Sequence, residues 1–153
     1  MVVFLADRKN LQTKRLHDRI KNKIGDDFEN VRRRRAEPRE PGAYRVIGEY
    51  PTENARVEIG FRLRTDDPYE HYWINRIEPD RGLLVGWHQD DTHDELGPVH
   101  LQLDYESETI ERVSVRFIDS HPLDVVGRRL SSLEDTVSDV EWQDGAPTGF
   151  ESR

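Results

Sequence analysis

"ARVEIGFRLR", residues 55–64, alternates without a slip. Val57, Ile59, Phe61 and Leu63 fall on one side of an extended chain, and Arg56, Glu58, Arg62 and Arg64 fall on the other. A repeat of two is the mark of a half-buried strand; a helix would space its apolar residues three and four apart. The same pattern recurs on either side of this stretch. "YRVIGEY" (44–50) precedes it, and "YEHYWINRI" (69–77), "GLLVGWH" (82–88), "PVHLQLDY" (98–105) and "ERVSVRF" (111–117) follow. Val99, Leu101, Leu103 and Tyr105 point inward on one of these, and Val113, Val115 and Phe117 on the next. Turns as short as "TDDP" and "EPDRG" join neighbours, which favours antiparallel pairing.

Outside this block the period becomes helical. Asp7 can cap a helix that runs to about Gly25, with Leu16, Ile20 and Ile24 as a thin apolar stripe. Pro122 suits a first turn, followed by Val126, Leu130, Leu133 and Val137 at helical spacing. The expected fold is α+β: an antiparallel sheet of about six strands flanked by an N-terminal and a C-terminal helix on one face. The expected division is a basic helical arm and Arg/Pro-rich linker (1–43), an antiparallel domain (44–138) and a flexible acidic tail (139–153).

At 153 residues the chain can close a core without staples, and it has no cysteine. Disulfides, thiolate zinc sites and a cysteine nucleophile are therefore excluded. It lacks an apolar run long enough for a membrane helix, and "MVVFLADRKN" is too short and wrongly flanked for a signal peptide, so a cytoplasmic protein is expected. The net charge is −8, and all four lysines lie in the first 23 residues, so the other bases are arginines. Such a composition suits a protein adapted to high internal salt, as in haloarchaea. Residues 1–40 carry a net charge of +5 and residues 41–153 one of −13. The run "VRRRRAEPREPG" (31–42) reads first as a solvated linker; contact of Arg32, Arg33, Arg34 and Arg35 with phosphate is the functional alternative.

Chemistry concentrates in "GWHQDDTHDELGPVH" (86–100), which holds three of the chain's six histidines, His88, His93 and His100. Strand alternation puts His100 and Gln102, Ser114 and Arg116, Arg62 and Arg64, and His88 on the side away from the core. His71, Trp73 and Asn75 share one side of their own strand. A polar sheet face is ordinary where one side is wet. A gathering of histidines on it is less so, because imidazole moves protons near neutrality. His93 and His100 can serve as an acid–base pair on a phosphodiester, with Asp91 orienting one ring and Arg116 or Arg62 neutralising phosphate. His71, Trp73, His88 and the arginine run would hold the substrate. The less favoured chemistry is a divalent metal held by His88, Asp91, His93 and His100, whose spacing fits no established metal motif. Phosphate-binding glycine loops and nucleophile elbows are absent. His121 reads as a neighbour of a helix cap, His17 as a surface residue and Trp87 as core; Trp73 is either core or a platform for a base.

The order "HYW", "GWHQDDTH", "DELGPVH" on consecutive strands before a last helix resembles the TumE-type toxin family of toxin–antitoxin systems, over residues 55–137. His71 and Trp73 match that family's aromatic strand, Trp87, Asp91 and His93 its central segment, and Pro98 and His100 its later turn. The resemblance implies a small α+β toxin, encoded beside a helix-turn-helix antitoxin. With the histidines it makes a metal-independent ribonuclease the leading expectation. The alternative is a non-catalytic module that binds protein or nucleic acid.

Overall fold

The computed structural model describes residues 5–35, 44–62 and 71–151, with side chains from Gln12 onward. Helix α1 (Leu5–Ile24) is followed by β1 (Glu29–Arg35), β2 (Tyr44–Glu49), β3 (Arg56–Arg62), β4 (His71–Glu78), β5 (Leu83–Gln89), β6 (Val99–Tyr105) and β7 (Glu108–Ser114). Helix α2 (Pro122–Ser138) and a hairpin of β8 (Val140–Gln143) and β9 (Ala146–Phe150) complete the chain. Strands β1 to β7 lie side by side in chain order, every pair antiparallel, so the sheet is a seven-stranded meander. Glu106 and Ser107 link β6 to β7 with φ of 51° and 69°, the positive values that let a two-residue turn follow the twist of its strands.

Both helices cover one face. Leu16, Ile20 and Ile24 of α1 and Val125, Val126 and Leu133 of α2 join Val57, Ile59, Phe61, Ile74, Val85, Trp87, Leu101 and Leu103 in a single buried cluster. Helix α1 lies over β1, β2 and β3, while α2 lies over β4 and β5. The imidazole of His121 caps α2, accepting the Leu123 N–H at 3.1 Å.

The sheet has one strand more than expected because the arginine run is not a linker. Residues 29–35 form the edge strand β1, so the boundary expected at residue 44 falls inside the sheet. An edge strand suits long basic side chains, whose apolar stems lie along the surface while the charges stay wet. Arg33 reaches α1 and donates to Asp18 at 2.7 Å, with its guanidinium 5.5 Å from the Tyr44 ring centroid. The rest of the expected linker, residues 36–43, and the "TDDP" turn lie outside the described residues.

Three further expectations change. The tail beyond Asp139 is ordered to Glu151 as the β8–β9 hairpin. Phe150 donates its N–H to the Glu111 carboxylate at 2.9 Å, and its ring joins the core. Asp7 lies within α1 instead of capping it. His17 is fully buried, not on the surface: its Nδ1–H donates to the Thr13 carbonyl at 2.6 Å, and its Nε2 accepts the Phe61 N–H at 3.0 Å. An amide N–H can only donate, so the neutral ring must carry its proton on Nδ1. Burial pushes the His17 pKa down.

Candidate functional site

Residues directly opposite on antiparallel strands share a face. On the face away from the helices, one row runs Gly60, Trp73, His88, His100, Ser114 across β3 to β7. The adjacent row runs Glu58, Asn75, Gly86, Gln102, Arg112. The alternation thus puts the expected histidines, Trp73, Asn75, Gln102 and Ser114 on one polar face. Trp87, the residue before His88 on β5, points to the other side and is core.

The two glycines in these rows shape the face. A Cβ on Gly60 would lie 2.0 Å from Trp73 Cζ2, and one on Gly86 would lie 2.0 Å from Asn75 Oδ1. The Trp73 indole therefore leans across β3 and the Asn75 amide across β5, each into a notch that any larger residue would close. Asn75 Oδ1 sits 2.8 Å from His88 Nε2.

His100 is only 1% exposed, and its orientation is set by a chain of side chains. Gln102 Nε2 donates to both Asp104 carboxylate oxygens, at 3.0 and 3.1 Å, while Arg112 Nε donates to Gln102 Oε1 at 3.1 Å. A carboxylate only accepts and a guanidinium only donates, so the amide can face only one way. The His100 Nε2, 3.0 Å from the same Oε1, must then be the N–H donor. Neutral His100 thus leaves Nδ1 as its bare, basic nitrogen.

The loop between β5 and β6 folds onto this face instead of projecting from it. Asp90 N–H donates to the Pro98 carbonyl at 3.1 Å and closes the loop's neck, and the Ser114 hydroxyl donates to the Leu96 carbonyl at 2.7 Å. His93 is thereby laid over His100, edge to face, with ring centroids 5.2 Å apart; His88 and His100 are 5.4 Å apart. The His93 side chain keeps 27% exposure, with the Glu95 carboxylate 3.6 Å from Nδ1. Burial, and then the neighbouring His100, push the His88 pKa down to about 4, so His88 is neutral near pH 7. Burial also disfavours the Asp90 carboxylate, but the hydroxyl and N–H of Thr92 outweigh it and hold Asp90 below its ordinary value.

The structure therefore brings together His88, His93 and His100, and leaves other expected members apart. Asp91 is exposed and has no hydrogen bond or ion pair among the described residues; the carboxylate beside His93 belongs to Glu95. His71 pairs with Arg62 across β3 and β4, and lines a shallow cavity of about 280 Å³ with Gln89, Asp90, Asp91 and Gly97. Arg116 is exposed beyond the end of β7, where its carbonyl accepts from Arg129. Arg32, Arg33, Arg34 and Arg35 lie on the far edge, five strand spacings or about 24 Å from β6. Among the described residues no three histidine, aspartate or glutamate side chains converge as a metal site, so the set His88, Asp91, His93 and His100 does not assemble. The orienting residues Asp104 and Arg112 escaped the sequence reading, although Asp104 follows His100 and Gln102 at the two-residue interval of one strand face.

The fold and site define a class: an α+β meander whose polar face carries a histidine cluster roofed by a loop. No protein-family model, curated protein or solved structure matches the chain.

Proposed function

We propose that this face acts on single-stranded RNA, as a toxin-like component of a toxin–antitoxin pair. The observation that carries the reading is the edge-to-face contact of His93, partly exposed, with His100, which in turn meets His88, within one polar face. His93 is the group that meets substrate. In its neutral form it takes the proton of a ribose 2′-OH, the 2′-oxygen bonds to phosphorus, and the bond to the 5′-oxygen breaks. The leaving oxygen takes a proton from water, and His93 returns its own to solvent. The products are a 2′,3′-cyclic phosphate and a 5′-hydroxyl end. His100, too buried to touch RNA, serves as a backstop that holds the His93 ring.

The test is cleavage of a labelled single-stranded RNA by wild type and by His93→Ala, with the new ends identified. Cyclic phosphate ends from wild type alone, unaffected by chelator, support the reading; equal cleavage by both removes His93 from it. A second reading, binding without cleavage, is favoured by the burial of His100 and the neutral state of His88. Tight RNA binding with intact RNA recovered would select it. Co-purification with a helix-turn-helix protein encoded beside the gene would test the toxin–antitoxin pairing.

A further inference from the structure

Resting on that reading, we infer that the row through Trp73 is the substrate path, and that a single unpaired base stacks on Trp73 while its neighbouring phosphates sit on arginine to one side and beneath His93 on the other. Four observations converge on it. First, the row extends past Gly60. Continuing the β2–β3 register one pair beyond Val46–Ile59 brings Arg45 opposite Gly60, and Arg34 is opposite Arg45. Like charges directly opposite on a sheet repel; Glu58 neutralises Arg45, while Arg34 has no ion pair among the described residues and is left to attract an anion. Second, Arg45 Nε is buried without a hydrogen-bond partner, although the same guanidinium donates to Glu58 at 2.9 Å. That atom is closed off from solvent, so the phosphate oxygen would meet the exposed, unpaired Arg34 beside it.

Third, Trp73 is held by its position, not by stacking. Its Cε2–Cζ2–Cη2 edge rests over Gly60, it is half-buried, and no aromatic ring or guanidinium stacks on it among the described residues. An indole left open on a polar sheet face is unusual for a core residue and usual for a base platform. Fourth, the spacing is right for one chain laid across the strands. Trp73 on β4 lies two strand spacings, about 10 Å, from both Arg45 on β2 and His100 on β6. Arginines prevail on the β1–β3 side of the face, where Arg32, Arg34, Arg45, Arg56 and Arg62 outnumber Glu29, Glu49 and Glu58. A duplex hides its bases from such a platform, so the substrate must be single-stranded.

The experiment is an abasic scan. A fluorescent hexanucleotide RNA, with one abasic residue moved along it, is bound to wild type and to Trp73→Leu and Trp73→Tyr, using the full chain. Circular dichroism and thermal unfolding first establish that each variant folds. We expect one abasic position to weaken wild-type binding about tenfold, the scale of one lost base–aromatic stack. Trp73→Leu should bind the intact strand as weakly as that, with no further loss from the abasic residue. Trp73→Tyr, which keeps a ring, should recover most of the affinity. Equal affinity at every abasic position, or equal binding of duplex, overturns the stacking site, even where cleavage by His93 is found. Position-specific loss without any cleavage sustains the stacking site and overturns the ribonuclease reading alone. No RNA binding overturns both.

Discussion

His17 and His100 are buried to the same extent on opposite faces of one sheet, 0% and 1% exposed, yet their surroundings differ in kind. His17 spends both ring nitrogens on main-chain groups, donating to Thr13 and accepting from Phe61 across 44 residues of sequence. It is a fastener between α1 and β3. His100 spends only Nε2, on a side-chain amide that is itself fixed by Asp104 and Arg112. Its other nitrogen is left out of the scaffold. Burial alone therefore does not separate an imidazole tied at both nitrogens to the main chain from one that only backs a neighbouring ring; the count of ring nitrogens committed to the scaffold does.

Acid should break the comparison most strongly, because it strikes both faces. Each of His17 and His88 has a pKa lowered in the folded protein, so the unfolded chain binds the extra proton first. Stability is fully present above the unfolded histidine value, about pH 6.5, and is lost as pH falls toward the folded value, about 4 for His88. The loss attributable to His88 is about 3 kcal/mol. Urea midpoints between pH 7.5 and pH 4 should fall accordingly, and His88→Asn should flatten the curve. An unchanged slope in that variant would assign the whole pH dependence to other groups. Next in size, His17→Ala at pH 7.5 should cost about 2–4 kcal/mol, through a cavity and a buried Phe61 N–H left without a partner. His93→Ala should cost less than about 0.5 kcal/mol by the same measurement. Similar losses for the two would abolish the distinction between fastener and reagent.

How much of this the sequence discloses depends on whether local pattern or tertiary contact decides an element. The phase of β6 is local: Leu101 and Leu103 go to the helices, and His100 and Gln102 to the polar face, because the chain alternates. The same holds for Trp73 against Ile74. Strand β1 is hidden because four arginines give both of its faces the same hydropathy; only pairing with β2 and the hold of Asp18 on Arg33 make it a strand. The β8–β9 hairpin does carry a signal, Asp144–Gly145, with φ of 53° and 81°, but its strands are short and rely on β7 for cover. His17 misleads because its second bond comes from a strand 44 residues away. Within the site, alternation reveals which side chains share a face and nothing about the loop above them. That is why Asp91 stood in sequence where Glu95 stands in space.

Smaller effects sharpen the polar-face side of the comparison. Gln102→Leu should remove the link between Asp104, Arg112 and His100 at about 1–2 kcal/mol, since His100 Nε2–H is then buried without an acceptor. Its decisive readout is not stability but the ring itself. Nitrogen chemical shifts of neutral His100 should report the Nε2–H tautomer in wild type and a mixture in the variant. A tautomer unchanged by Gln102→Leu would mean that another group holds the proton there. Smallest of all, Arg34→Ala should alter stability by less than about 0.5 kcal/mol, because an exposed edge arginine without an ion pair contributes little to the fold. The same substitution should make RNA binding less salt-dependent, lowering the slope of log affinity against log salt by about one. Two variants on one face, one that moves a proton without moving the salt slope and one that does the reverse, would separate the reagent end of the row from its phosphate end.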